Sequence, residues 1–131
     1  MEGRLQALWH KDAIRELTAR YCRAVIAGDG AGLAALFVED GGIESAGEWI
    51  RGRDALAGFI NGLPSGTLFP MIHNHVIDLD GGEARGYCVV ESPSGGLDGQ
   101  GFVAEYDDTY RLEQDQWRFV ERRIRMLKTG L

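Results

Sequence analysis

The hydrophobic period changes near residue 65, and that switch limits the architectures open to the chain. Before it, apolar residues recur at steps of three and four, the spacing of one helix face; after it they alternate, the spacing of a strand buried on one side. Helices first and strands afterwards give an α+β layout rather than a parallel sheet wound with helices. At 131 residues the chain fits a single domain, residues 1–131, whose core needs no metal or disulfide staple.

The spacing predicts a first helix over 5–27, with Ile14, Leu17, Tyr21, Ala24 and Val25 on its buried stripe. Gly28 suits a left-handed cap, and Asp29 suits the N-cap of the next helix. A short second helix over 31–37 turns Leu33, Leu36 and Phe37 inward, and Gly41 with Gly42 breaks it. A small hairpin over 42–51 turns at Ala46 and Gly47, and a third helix covers 53–62 with Leu56, Phe59 and Ile60 on one side. Strands follow over 70–79, 83–92, 100–112 and 116–127, separated by Asp80–Gly82, the glycine-rich loop Pro93–Gly99 and Glu113–Asp115. Turns this short join antiparallel neighbours. Three helices laid across a curved antiparallel sheet leave a cone whose interior can hold a small ligand.

A hydrophobic fraction of 44% excludes disorder as the main state. Twenty acidic residues against 14 Lys and Arg give a net charge of −6, which argues against a nucleic-acid partner. No apolar run approaches the roughly 18 residues of a membrane span, so no membrane partner is expected. Cys22 and Cys88 fall in different segments and the N-terminus has no signal-peptide core; both point to reduced thiols and a cytoplasmic location.

Residues 102–112 alternate cleanly, with Phe102, Ala104, Tyr106, Asp108, Tyr110 and Leu112 on one face. That face is apolar and aromatic, so it should meet the helices, and Asp108 is its single carboxylate. A buried carboxylate must be hydrogen-bonded, paired or protonated. Asp108 is therefore either an acid–base group or a structurally satisfied aspartate. Tyr21 on the first helix is a core tyrosine or a hydroxyl donor to the site. His73 and His75, flanking Asn74, share one strand face by simple alternation. They suit a proton shuttle, a pocket hydrogen bond or a strand edge better than a metal, which needs a third ligand close by. Arg118 and Arg122 share one face of the last strand and Arg123 and Arg125 the other; either pair can neutralise Asp108 or bridge surface charges. Trp49 either closes a pocket mouth or packs on the third helix.

Two stretches resemble one family. Ile14–Tyr21 (IRELTARY), Gly28–Asp29, Leu33–Phe37 (LAALF) and Glu39–Asp40 are similar to the opening of the SnoaL-like, nuclear transport factor 2-like superfamily. Tyr106–Arg111 (YDDTYR), Gln116–Phe119 (QWRF) and Arg122 are similar to its closing strands, so the likeness covers about residues 10–126. The resemblance implies a cone-shaped α+β barrel, usually dimeric or trimeric. Its members include ketosteroid isomerases, polyketide cyclases, scytalone and bile-acid dehydratases, a dehydrochlorinase, epoxide hydrolases and non-catalytic binders. By motif position Tyr21 and Asp108 match the tyrosine and aspartate that hold the oxyanion in ketosteroid isomerases. The isomerases' general-base aspartate falls at Ser45, beside Glu44. The dehydratases' helix aspartate falls at Ile26 and their histidine at Pro70.

The resulting expectation is a lyase or isomerase without cofactor or metal, acting on a small hydrophobic cyclic molecule. Its catalytic set would be Asp108, Tyr21 and one of His73 and His75. Arg122, Tyr106, Tyr110, Phe102 and Trp49 would bind substrate. The rival is a non-catalytic small-molecule-binding or assembly module. A homodimer is expected from the outer sheet face, with a trimer as the alternative.

Overall fold

A computed structural model describes residues 2–64, 66–96 and 99–131, without the side chain of Glu2. Parts of the expected loops at 62–66 and 93–99, namely residues 65, 97 and 98, lie outside the described residues. Three helices, α1 (Glu2–Ala27), α2 (Gly30–Ala34) and α3 (Arg53–Asn61), interleave with the first two of six strands. The strands are β1 (Phe37–Ser45), β2 (Glu48–Arg51), β3 (Met71–Asp80), β4 (Glu83–Ser92), β5 (Phe102–Glu113) and β6 (Gln116–Thr129).

The expected stripe of α1 is the buried one: Ile14, Leu17, Tyr21, Ala24 and Val25 are all inside. Gly28 at φ 67° stops the helix, and the Asp29 N–H then donates to the Ala24 carbonyl at 2.9 Å. Asp29 caps α2 by accepting from the Gly32 N–H at 2.9 Å. The second helix is shorter than its spacing suggested. The Phe119 N–H donates to the Leu36 carbonyl at 2.9 Å, and Phe37 lies opposite Phe119 in the sheet. Sheet pairing therefore takes over where the helix might have run on. Gly41 and Gly42 do not break a helix; they sit inside β1, where its register against β6 shifts.

The sheet order is β2-β1-β6-β5-β4-β3. The β3–β6 meander is antiparallel as expected, whereas β1 runs parallel to β6, so the sheet is mixed. It curves without closing, and the helices cover its concave face. The β1–β2 hairpin turns at Ala46 and Gly47, both at positive φ (52° and 82°), as a two-residue turn of matching twist requires. Leu56 and Ile60 are buried and anchor α3, while Phe59 is 46% exposed. Among the described residues, no helix is long and apolar enough to cross a membrane.

Candidate functional site

The inner face of β5 carries Phe102, Ala104, Tyr106, Asp108 and Tyr110, all buried as the alternation predicts. Asp108 lies directly across the ladder from Arg122 on β6. Arg122 Nε donates to Asp108 Oδ1 at 2.8 Å and Nη2 to Oδ2 at 2.8 Å, while the Tyr110 hydroxyl donates to Oδ2 at 2.9 Å. Both carboxylate oxygens are thus occupied by buried donors. Burial works against the Arg122 charge, but Asp108 more than offsets it and holds the guanidinium pKa above its ordinary value.

Arg122 is enclosed by aromatic rings. Its Cζ lies 4.3 Å from the Tyr21 centroid, 4.2 Å from Tyr106 and 4.4 Å from Phe119. Nη1 is buried without a hydrogen-bond partner among the described residues. An unpaired buried N–H is costly, and the rings stacked on the guanidinium offset part of that cost. Tyr110 is placed by the residue opposite Asp108 on β4. A Cβ added at Gly86 would come within 2.4 Å of the Tyr110 hydroxyl oxygen and 2.7 Å of its ring. Gly86→Ala is therefore expected to push Tyr110 off Asp108 and cost about 1–3 kcal/mol. The urea midpoint measures this, and an unchanged midpoint would contradict the placement.

The two histidines do not share a face. Asn74 at φ 53° marks a bulge, and the β3–β4 register shifts between His73 and Val76. His73 is turned outward and pairs with Glu91 at 3.0 Å on the exposed face. His75 turns inward, its Nε2 3.3 Å from the Tyr110 hydroxyl. The bulge thus corrects the expectation that either histidine could serve. No group of three His, Cys, Asp or Glu able to hold a metal occurs among the described residues. Burial lowers the His75 pKa below its ordinary 6.5; Asp108 opposes this, and Arg122 and Arg15 add to it. A histidine kept neutral by the fold binds fewer protons than in the unfolded chain. Its contribution to stability is therefore complete above pH ~6.5 and is lost as pH falls below that. His75→Gln is expected to flatten the loss of stability between about pH 7 and 5. Urea unfolding across that range checks it, and parallel slopes for the two proteins would count against the assignment.

A cavity of about 200 Å³ opens at the end of the cone between α1, α3, β1, β5 and β6. Its wall is mostly apolar, with Ile43, Ile60, Phe102 and Met126 among its residues, and Tyr21 and Tyr106 form part of it. Burial raises the pKa of both tyrosines, and Arg122 opposes the rise in each. Both are therefore neutral phenols near pH 7, fit to donate hydrogen bonds. Three of the expected site residues, Tyr21, Tyr106 and Phe102, meet here, and Arg122 stacks on both tyrosines. Asp108, Tyr110, His73 and His75 do not line the cavity. Neither does Trp49, which stacks instead on Arg51 at 3.9 Å and Arg123 at 5.3 Å. The wall residues Ile43 and Met126 escaped sequence reading. Alternation through Ile43 and Ser45 was the available signal, once residues 37–45 are read as one strand.

Cys22 and Cys88 are both buried, and burial pushes the Cys88 thiol up to about 12, which leaves it protonated and inert.

Residues 6–123 match the model of the SnoaL-like domain family. A protein of unknown function from Mycobacterium tuberculosis is 30% identical, with a TM-score of 0.80 over 92% of this chain and 78% of that one. An NTF2-like protein with a cystatin-like fold from Novosphingobium aromaticivorans is 27% identical (TM-score 0.85, covering 97% of this chain and 88% of that one). A candidate scytalone dehydratase from the same organism is 25% identical (TM-score 0.82, 95% and 88%). No curated protein matches the chain.

Proposed function

Because the chain belongs to the SnoaL-like domain family, we propose that its cone receives a small hydrophobic ring compound and performs lyase or isomerase chemistry beside a ligand oxygen held by Tyr21 and Tyr106. The observation that carries this reading is the apolar cavity whose wall includes two neutral phenols backed by one buried cation. A cavity of about 150 Å³ is enough for benzene, so about 200 Å³ suits one substituted ring. Hydroxyl donors aimed at that oxygen favour the negative charge that develops on it during elimination or isomerisation next to a carbonyl. Scytalone dehydratase, named for one similar structure, is an enzyme of the lyase kind.

On this reading Asp108 serves as a support for the site and not as its acid–base group. Its clamp by Arg122 and Tyr110 makes it the counter-charge that holds the cation in place. The chain His75–Tyr110–Asp108 ends at Arg122, and a guanidinium does not release a proton. Proton movement in the cavity then falls to the tyrosines, the substrate and water. This same arrangement favours a second reading, a non-catalytic binder: Ile26 is outward on α1, and Pro70 stands in the cavity wall where the dehydratases place a histidine. A panel of cyclic ketones and β-hydroxy ketones, followed by NMR for both binding and product, separates the two. Turnover of a ring ketone supports the enzyme; saturable binding with unchanged ligand supports the binder; no binding contradicts both.

We extend the proposal to a homodimer through the outer sheet face, where the half-buried Tyr87, Val89 and Val103 lie among charges. Sedimentation at micromolar concentration is expected to give twice the chain mass, and a monomer would contradict it.

A further inference from the structure

Arg122 is the largest fully buried side chain of the described residues. Its two 2.8 Å hydrogen bonds to Asp108 cancel its charge at longer range. At close range the tyrosines meet the guanidinium itself, stacked 4.3 Å and 4.2 Å from their ring centroids. A cation over a phenol face draws electron density from the ring and hydroxyl, which makes the O–H a stronger donor and a weaker acceptor. Each hydroxyl dipole also turns its hydrogen away from the cation. Among the described residues, no Asp, Glu, Lys, Arg or His lines the cavity. A charged ligand would lose its hydration there and find no opposite charge.

On the reading that this cavity is the ligand site, we propose that it selects an uncharged single-ring compound whose buried end is a bare acceptor oxygen, such as a ketone, lactone or quinone carbonyl. Arg122 enforces the choice as a positioning residue, acting through Tyr21 and Tyr106 without touching the ligand. The fold thus reads three things at once: ring size by the apolar wall, neutrality by the cancelled ion pair, and acceptor character by the polarised phenols.

Four ligands of nearly one shape test this by titration of the full chain, with the Ile43, Ile60 and Met126 methyl signals as reporters at the wall. Acetophenone is the neutral acceptor, ethylbenzene has no polar group, benzoate is an anion and 1-phenylethylammonium a cation. Acetophenone is expected to bind about tenfold tighter than ethylbenzene, and neither ion is expected to saturate. Tyr21→Phe should cut that advantage to about threefold, and the Tyr21→Phe/Tyr106→Phe double variant should abolish it. In Asp108→Asn the guanidinium charge is no longer cancelled, so benzoate should become the tightest of the four. Such a gain cannot come from mere structural damage. Should Asp108→Asn not fold, para-substituted acetophenones take its place: affinity should rise with carbonyl basicity in the wild type, rise less steeply in Tyr21→Phe and lose that slope in the double tyrosine variant.

Benzoate binding the wild type as tightly as acetophenone would overturn the inference. So would a ketone preference that survives in the double tyrosine variant. Failure of both acetophenone and ethylbenzene to move the wall methyls would overturn the cavity reading and the inference with it. Selectivity without turnover removes only the proposed chemistry and leaves the inference standing.

Discussion

Arg122→Met is expected to remove about 3–5 kcal/mol of stability, because it strands the Asp108 carboxylate in the core without its counter-charge. Domains of this size have only about 5–15 kcal/mol in total, so the urea midpoint should fall steeply. Methionine fills much of the arginine volume, so the loss measures the stranded charge more than a cavity. Asp108→Leu should do comparable harm by leaving Arg122 uncompensated. The double variant Asp108→Leu/Arg122→Met should recover most of the loss, since a well-packed apolar pair replaces a buried ion pair at little cost. A double variant as unstable as the sum of the singles would mean that the two side chains act independently, contrary to their bidentate geometry.

The second large effect concerns rate. For any ring ketone that the protein turns over, Tyr21→Phe is expected to lower kcat by about 10²–10³. The ring stays packed on Phe37, Phe119 and Tyr106, so the fold should lose no more than about 1 kcal/mol. KM should change far less than kcat if the hydroxyl acts mainly on charge that develops during the reaction. A variant with unchanged kcat would remove Tyr21 from the chemistry and leave it a wall residue.

The pattern of residues 102–112 made the centre of the fold legible. Strict alternation placed Tyr106, Asp108 and Tyr110 on the inner face, where they are, because a strand with one buried side has little freedom of register. The α1 stripe was legible for the same reason, and the resemblance carried by Ile14–Tyr21 and Tyr106–Arg111 agrees with the family match over 6–123. Pairing between distant strands was not legible. Nothing local to Arg122 chooses it over Arg118 as the partner of Asp108; the β5–β6 register does, and that register contains two shifts. The bulge at Asn74 was equally hidden, since one left-handed residue reverses the face of every side chain beyond it. Period-two reading therefore grouped His73 with His75 wrongly. Phe37 was read as helical because its spacing fits Leu33, whereas a parallel partner 82 positions later, Phe119, decides its conformation.

On the proposed reading, the concave face works through the tyrosine pair, with the aspartate as its support. The sequence pointed to Asp108 because a lone carboxylate in an apolar row is conspicuous. In the structure the same feature answers to Arg122, whose charge needs a partner before it can lie against two phenols.

The most direct test is a crystal structure of the protein with acetophenone or another single-ring ketone bound. The ketone oxygen is expected within about 2.5–3.0 Å of the Tyr21 or Tyr106 hydroxyl, with the ring against Ile43, Ile60 and Met126 and the Asp108–Arg122 pair intact behind it. A ketone bound to Asp108 after displacing Arg122, or seated outside the cone altogether, would contradict the account.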